Sequence, residues 1–198
     1  MIQEELNKTI IEVCLKIAKR GEGAIILVGN QENKPLVKQE VKPFNVMENP
    51  KLLESLALMD GAVIVDKFGL MQYYGTMLKV SKLSMIKNFG TRHQSSLSAS
   101  MKEGNKVYAV SEEDNKVRIF QDGKLVVEID GRTKNIEKQV PEINNIMESI
   151  GWGTASLLGA GIVAPAIGIA AIPGVTIFVA ITGVSYFIKK LKKYDLIK

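Results

Sequence analysis

Reactive side chains are scarce in this chain of 198 residues. It contains one cysteine (Cys14), one histidine (His93) and one tryptophan. A single cysteine excludes both a disulfide framework within the chain and a zinc site built from cysteines. Neither a Gly-x-Gly-x-x-Gly sequence nor a loop ending in Gly-Lys-Ser/Thr occurs, so the two commonest nucleotide-binding loops are absent. The start of the chain has no basic stretch followed by an apolar one, so we expect no signal peptide.

Positive charge is concentrated at one end of the chain. The formal net charge is +5, and the last ten residues, KKLKKYDLIK, contribute +4 of it. The rest of the chain is therefore nearly neutral, unlike the extended basic face of a nucleic-acid-binding domain. We expect no nucleic-acid partner.

A long uncharged segment precedes this basic end. The forty residues from Ser149 to Ile188 carry no charge and are rich in Gly, Ala, Ile and Val. Since a bilayer core of ~30 Å needs about 20 helical residues, the segment is long enough for two spans that turn at Pro173–Gly174. The lysines after it are typical of a cytoplasmic anchor. We expect a membrane hairpin on the cytoplasmic side of the cell membrane; the alternative is a buried helical hairpin in a soluble oligomer.

Hydrophobic periodicity predicts an amphipathic helix at 2–19 that ends at Gly21. Turn sequences at Asp114–Asn115 and Asp122–Gly123 separate the last three of six apolar strands. Helices precede and interrupt the strands without strict alternation, which predicts a mixed α+β fold with a central mixed β-sheet flanked by helices, followed by the C-terminal apolar helical hairpin. The other predicted elements are helices at 50–59 and 91–101, the second with Thr91 as N-cap, and strands at 23–29, 61–66, 69–75, 106–111, 116–121 and 124–130.

Three short segments carry side chains suited to phosphate chemistry: MDGAVIVD (59–66), GTRH (90–93) and VSEE (110–113). A carboxylate followed by Gly and Ala lets a ligand approach the backbone closely. Arg92 and His93 fall in the first turn of a predicted helix, where free N–H groups favour an anion, and the guanidinium matches phosphate oxygens.

Hydroxyl and carboxylate groups extend this pattern. The hydroxyls of Thr91, Ser95 and Ser96 are further donors, and Glu112 or Glu113 supplies the oxygen ligands that Mg²⁺ prefers. Together the segments indicate a phosphate and metal site. Taken singly, each segment is equally typical of a turn, a solvated strand end or a helix cap.

The order of the segments resembles that of the diadenylate cyclase domain of the DisA type. EGAIILVG, MDGAVIVD, GTRH about thirty residues later, and VYAVSEEDNKVRIFQDGKL follow one another as the family's DGA motif, its GTRHR motif and its strand ending in SEE do. The resemblance covers Gly23 to Ile129. It implies an enzyme that makes cyclic di-AMP from two ATP molecules, with two protomers facing each other, so a lone protomer is expected to be inactive.

The resemblance also implies roles for individual residues. The family aspartate activates the attacking ribose 3′-OH, directly or through a metal, and the family leucine contacts adenine. The implied assignments are catalysis by Asp60, Arg92 and His93, ATP binding by Gly61, Ala62, Leu78, Thr91, Ser95 and Ser111, and coordination of Mg²⁺ or Mn²⁺ by Asp60 and Glu112.

Two positions depart from the family pattern. Gln94 stands where the family has a second arginine, and Lys79 replaces the proline after Leu78. The loss of one positive charge leaves a catalytically weak nucleotide-binding sensor as one alternative to an active cyclase. The apolar hairpin suggests a second alternative, a membrane effector. We divide the chain into an N-terminal amphipathic helix (1–22), a diadenylate cyclase-like nucleotide-binding domain (23–132), a connecting helix (133–148), the apolar hairpin (149–188) and a basic tail (189–198).

Overall fold

A computed structural model describes residues 2–30, 35–79, 90–151 and 173–177. Within these residues the chain forms seven strands and four α-helices. The strands are β1 (Ala24–Val28), β2 (Ala62–Val65), β3 (Met71–Thr76), β4 (Lys106–Val110), β5 (Lys116–Gln121), β6 (Lys124–Asp130) and β7 (Val175–Ile177). The helices are α1 (Ile2–Lys19), α2 (Pro50–Ala57), α3 (Thr91–Ser100) and α4 (Val140–Gly151), and a 3-10 turn at Ile136–Gln139 precedes α4.

The strands form one mixed sheet in the order β3-β2-β1-β4-β5-β6-β7. β1 and β2 are parallel, and every other neighbouring pair is antiparallel. The parallel pair needs a crossover connection, which carries α2. The predicted mixed α+β fold with a central mixed sheet is confirmed.

Helices cover both faces of the sheet. Ala24, Ile26 and Val28 of β1 belong to a core shared with α1, α2 and α4, whereas Ile25 and Leu27 belong to a second core under α3. Because both of its faces are covered, β1 is apolar at every position, as strands buried on both faces are.

The predicted turns have the expected backbone. Asp122 and Gly123 have φ of 50° and 67°, as the two central residues of a type I′ hairpin require. Thr91, in contrast, is not the cap of its helix. The N-cap is Gly90, whose carbonyl accepts the N–H groups of His93 and Gln94 at 3.1 Å, so Thr91 is the first helical residue.

The segment after β6 is helical, as predicted for 133–148, but it begins with the 3-10 turn. Asn135, with a left-handed backbone (φ 59°), starts that turn. Val140 and Ile143 are fully buried in the main core, and α4 packs against α1. The N-terminal and connecting helices are therefore packed parts of one core.

The structure departs from the predicted membrane hairpin at Val175–Ile177. Val175–Ile177, expected in the second span, form an edge strand in which Val175 lies opposite Ile129 and Ile177 opposite Val127. This run of β-branched residues suits a strand. Residues 152–172 and 178–198 lie outside the described residues. No helix in the described ranges is long and apolar enough to cross a bilayer.

The turn before β7 depends on a glycine. Gly174 has φ of +79°, its carbonyl accepts the N–H of Asp130 at 2.7 Å, and a Cβ there would lie 2.0 Å from Thr133 Oγ1. Gly104 has nearly the same φ of +80°, but a Cβ there would meet nothing within 4 Å. The two positions differ in steric contact and share their backbone conformation.

We predict that Gly174→Ala destabilises the protein more than Gly104→Ala. Gly104→Ala should lower the free energy of unfolding by about 1–2 kcal/mol, the cost of a left-handed L-residue. Gly174→Ala should add the cost of a steric clash, about 1–3 kcal/mol. Urea denaturation measures both losses. Equal losses, with unchanged hydrogen-exchange protection of the Asp130 amide, would contradict the pairing of β7 with β6.

Candidate functional site

A cleft opens at the edge of the sheet where β1 and β2 begin and β3 and β4 end. The strand register places Ala24 opposite Val110 and Ala62 opposite Thr76 at this edge. The loops next to these residues carry the DGA and SEE motifs, and α3 begins beside them. The cleft has a volume of about 650 Å³, within the range of small-molecule sites.

The structure brings every predicted site residue except Ser96 together in this cleft, although their roles stay predictions. Glu113, the alternative to Glu112, also lines it. Ser96 does not: its side chain is fully buried, and its hydroxyl donates to the carbonyl of Arg92 at 2.7 Å. The predicted residues that line the cleft are Asp60, Gly61, Ala62, Leu78, Thr91, Arg92, His93, Ser95, Ser111 and Glu112.

The start of α3 faces the cleft without a capping side chain, because its N-cap is a glycine. Uncapped N–H groups and the helix dipole favour a bound anion at such a position. The hydroxyl of Ser95 donates to the carbonyl of Arg92 at 2.9 Å, which is the same acceptor that Ser96 uses. Both serines thus bond to the backbone of the first turn, although Ser95 also lines the cleft.

Arg92 and Glu112 pair with each other across the cleft. Arg92 Nη1 lies 2.8 Å from Glu112 Oε2, and both side chains are about half exposed. A Cβ at Gly23 would lie 2.5 Å from Arg92 Nη1, so a glycine at this position makes room for the guanidinium. An exposed ion pair contributes at most about 1 kcal/mol. A phosphate group can therefore replace the carboxylate at little cost.

Gly61 is required by the fold as well as by any ligand. Its φ is +99°, and a Cβ there would lie 2.6 Å from backbone atoms of Gly75 and Thr76 in β3. The sequence suggested only that a glycine after Asp60 admits a ligand. The structure adds that this glycine allows β3 to pack against the start of β2, while Asp60 beside it stays exposed in the cleft.

A polar network holds the buried side chain of His93 and contains four residues that the sequence analysis did not assign to the site: Asp114, Lys116, Arg118 and Glu128. The side chain of His93 is 8% exposed, and its Nε2 lies 2.9 Å from Arg118 Nη1. Arg118 Nε donates to Glu128 Oε2 at 2.7 Å, and its Nη2 donates to Asp114. Lys116 Nζ donates to Glu128 Oε1 at 2.7 Å.

One signal in the sequence indicates Arg118. In the predicted strand KVRIFQ, Val117 and Ile119 alternate with Arg118 and Phe120, so a strand covered on both faces buries the arginine. In the structure Val117 and Ile119 lie in the main core and Phe120 in the core under α3. The pairing of Arg118 with Glu128 follows from the strand register, which the sequence does not state.

Burial and charge shift the acid–base equilibria of this network. Burial lowers the pKa of His93, and the guanidinium groups of Arg118 and Arg92 lower it further, against the opposing effect of Asp114 and Glu128. Burial on its own raises the pKa of Asp114, but hydrogen bonds from Arg118 and Ser111 outweigh it, and the pKa lies below its ordinary value. His93 is therefore held neutral and Asp114 ionised.

We predict that Asp114→Asn lowers the free energy of unfolding in a pH-dependent way. The pKa of Asp114 is depressed in the folded state. The contribution of its carboxylate to the free energy of unfolding is therefore fully present above the unfolded pKa, about 3.9, and is lost as the pH falls through the folded pKa. At pH 7 the loss should be on the order of 1 kcal/mol, since water screens a carboxylate that is 38% exposed. Denaturation curves from neutral to acid pH measure it.

The matched control for this prediction is Glu113→Gln, which neutralises an exposed carboxyl one residue away. This control should change the free energy of unfolding little at any pH. An Asp114→Asn difference that stays constant into the acid range would contradict the assigned network.

Comparison with known proteins identifies the family of this chain. Residues 11–125, more than half of the chain, match the family model described as DisA bacterial checkpoint controller nucleotide-binding, or DAC. The chain belongs to this DisA-type diadenylate cyclase family, as its motifs predicted.

Two relatives agree with this assignment. A protein named diadenylate cyclase from Methanocaldococcus jannaschii is 30% identical over 145 residues, which cover 66% of this chain and 47% of that protein. The DNA integrity scanning protein DisA of Corynebacterium efficiens is 30% identical over 110 residues, 55% of this chain and 31% of that protein. The chain thus spans less than half the length of either relative.

The fold resembles the crystal structure of a double mutant of DacA from Staphylococcus aureus. The TM-score is 0.50, with 22% sequence identity over 70% of this chain and 95% of that one. This similarity shows that the two proteins share the arrangement of their helices and strands.

Proposed function

We propose that this protein is a diadenylate cyclase, which condenses two ATP molecules into cyclic di-AMP and releases two pyrophosphates. The observation that carries the proposal is that Asp60, Arg92, His93 and Glu112, which three separate segments contribute, line one cleft. Membership of the family supports it.

The triphosphate would lie at the start of α3. There the uncapped helix terminus and the Arg92 guanidinium provide hydrogen-bond donors and positive charge. Ser111 and Glu112, directly after β4, flank the same end of the cleft. The ribose and base would extend along Gly61 and Ala62 toward the buried side chain of Leu78.

The chemistry is an exchange of phosphoester bonds. Each ribose 3′-oxygen forms a bond to the α-phosphorus of the other ATP. The bond between that phosphorus and the oxygen bridging to the β-phosphorus breaks, and pyrophosphate leaves. Asp60, exposed in the cleft, would accept the 3′-OH proton or orient the hydroxyl. Because one cleft holds one ATP, the reaction requires a homodimer whose clefts face each other, and catalysis rests on positioning and charge stabilisation.

A divalent cation fits the donor set of the cleft. The described residues contain no group of three or more His, Cys, Asp or Glu that could hold a metal alone. Mg²⁺, however, is commonly bound by one or two carboxylates together with substrate phosphates. Asp60 and Glu112 are the carboxylates that would hold Mg²⁺ or Mn²⁺, and the ion would neutralise phosphate charge.

Membrane attachment on the cytoplasmic side of the cell membrane is a proposal that rests on the composition of the tail. The apolar, uncharged residues before the final lysines support it. The pairing of β7 with β6 limits it, because a membrane span cannot include Val175–Ile177 while they lie in the sheet.

The test of the proposed function is incubation of the purified protein with ATP and Mg²⁺ or Mn²⁺. We expect cyclic di-AMP in the mass spectrum, and a loss of at least about 100-fold in rate for Asp60→Asn, the size of a general-base contribution. The matched control is Asp66→Asn, the same change at the other end of β2, which should keep its activity. ATP binding without product would favour the sensor alternative and implicate Gln94.

Glu112→Gln separates a metal ligand from a simple partner of Arg92. Without divalent cation, the variant should bind ATP more tightly than wild type, by about two- to fivefold, because Arg92 is released and a negative charge is removed. With Mg²⁺ present, it should bind more weakly. Isothermal titration measures both affinities, with Glu142→Gln on the exposed side of α4 as control. The same change in affinity with and without Mg²⁺ would argue against coordination by Glu112.

A further inference from the structure

Arg118 is a buried arginine with a fixed set of partners. It is 7% exposed and lies on β5, with its guanidinium directed to the core side covered by α3. Each of its three nitrogens has a partner: Nε donates to Glu128, Nη2 to Asp114, and Nη1 meets His93 Nε2 at 2.9 Å. This geometry leaves the guanidinium little freedom.

Only one direction is possible for the hydrogen bond between Arg118 and the imidazole. A guanidinium in a protein is always protonated and has no acceptor, so Arg118 must be the donor and Nε2 the acceptor. We propose that Arg118 is a positioning residue that holds His93 as a neutral imidazole with its single proton on Nδ1.

The charges around the ring indicate that Arg118 orients His93 and does not serve to attract phosphate. Arg118 and Lys116 carry two positive charges, and Asp114 and Glu128 carry two negative ones within hydrogen-bonding contact. The cluster is neutral as a whole, so it adds no net attraction for phosphate. Arg92 on α3 also acts on the ring and disfavours a second proton on the imidazole.

Phe120, on the same strand as Arg118, also restrains the imidazole of His93. Its ring meets the imidazole edge-to-face, with the centroids 6.4 Å apart. The hydrogen bond to Nε2 fixes one edge of His93, and the aromatic contact restricts rotation of the ring.

The consequence concerns what His93 does in the cleft, and this part rests on the proposed function. With Nε2 occupied, any hydrogen bond from the ring to a phosphate oxygen comes from Nδ1. The ring would serve as a neutral, oriented donor, and it would neither carry positive charge nor shuttle protons near neutral pH.

The chain provides a clean test because His93 is its only histidine. Protein labelled with ¹⁵N-histidine gives one imidazole spectrum, and the nitrogen shifts distinguish the two tautomers and the imidazolium. We expect protonated Nδ1 and unprotonated Nε2 at pH 7, with no titration at the ordinary value of about 6.5. A proton on Nε2, or a doubly protonated ring at pH 7, would overturn the proposal without any mutation.

Arg118→Met provides the second arm, with Arg132→Met as control. Arg132 is exposed and has Asn115 as its side-chain partner. Burial still lowers the pKa of His93 in Arg118→Met, but the opposing guanidinium is gone while Asp114 and Glu128 favour the protonated ring, so the pKa should rise measurably above that of the wild type. The control should keep the wild-type spectrum. A wild-type spectrum in Arg118→Met would mean that Arg118 has no influence on the ring, and it would contradict the proposal.

Nucleotide binding extends the test to function. At pH 8, Arg118→Met should bind ATP on the order of tenfold more weakly than wild type, because the donor is no longer oriented. That deficit should shrink as the pH falls and the ring gains charge, while Arg132→Met stays at the wild-type affinity. A deficit independent of pH would indicate a general structural loss and count against the positioning role.

The two proposals can fail separately. The tautomer is measured without ligand, so a wild-type protein with the expected spectrum that neither binds nor converts ATP would refute the proposed function and leave the tautomer assigned. If Arg118→Met does not fold, the wild-type spectrum alone decides.

Discussion

The hydrogen bonding of β1 sets the geometry of everything around the cleft. On one side it pairs with β2 in parallel, and on the other with β4 in antiparallel orientation. The first pairing brings the beginning of β2, with its DGA motif, to the edge where β1 begins. The second brings the end of β4, with its SEE motif, to the same edge. Either strand in the opposite orientation would put its motif at the other end of the sheet.

The burial of β1 on both faces is what makes this arrangement stable. Its side chains alternate between the main core and the core under α3, so the strand stabilises both layers at once. α3 packs on β1 and β4, and its first turn therefore meets the motifs at the edge. The site depends on backbone pairing in the centre of the sheet more than on any contact within the cleft.

Two kinds of ion pair coexist at the site and differ in exposure. Arg92 and Glu112 are half exposed, so water weakens their attraction and a ligand can exchange with either partner. Arg118 is buried and pairs with Glu128, which is 17% exposed, and with Asp114, which is 38% exposed, so its guanidinium would lose counter-charge in the core if Glu128 were removed. The exposed pair suits groups that must change partners during binding, and the buried cluster suits a group that must stay in place.

The sequence predicts the strands around the cleft and the residues that line it because both are local properties. Apolar runs, the Asp122–Gly123 turn and the three motifs are each read within a few positions. The role of Arg118 is not local, because it depends on which residue of β6 lies opposite it and on which face α3 covers. β7 was missed for a related reason: a short β-branched run in an apolar tail looks the same whether it pairs with β6 or enters a membrane.

The edge strand β7 also gives the tail a mechanical connection to the cleft. Thr176 lies opposite Glu128 in the β6–β7 pair, Glu128 binds Arg118, and Arg118 binds His93. A displacement of β7 is thus transmitted to the strand that carries Glu128. Between β7 and the imidazole lie one strand pairing and two side-chain hydrogen bonds.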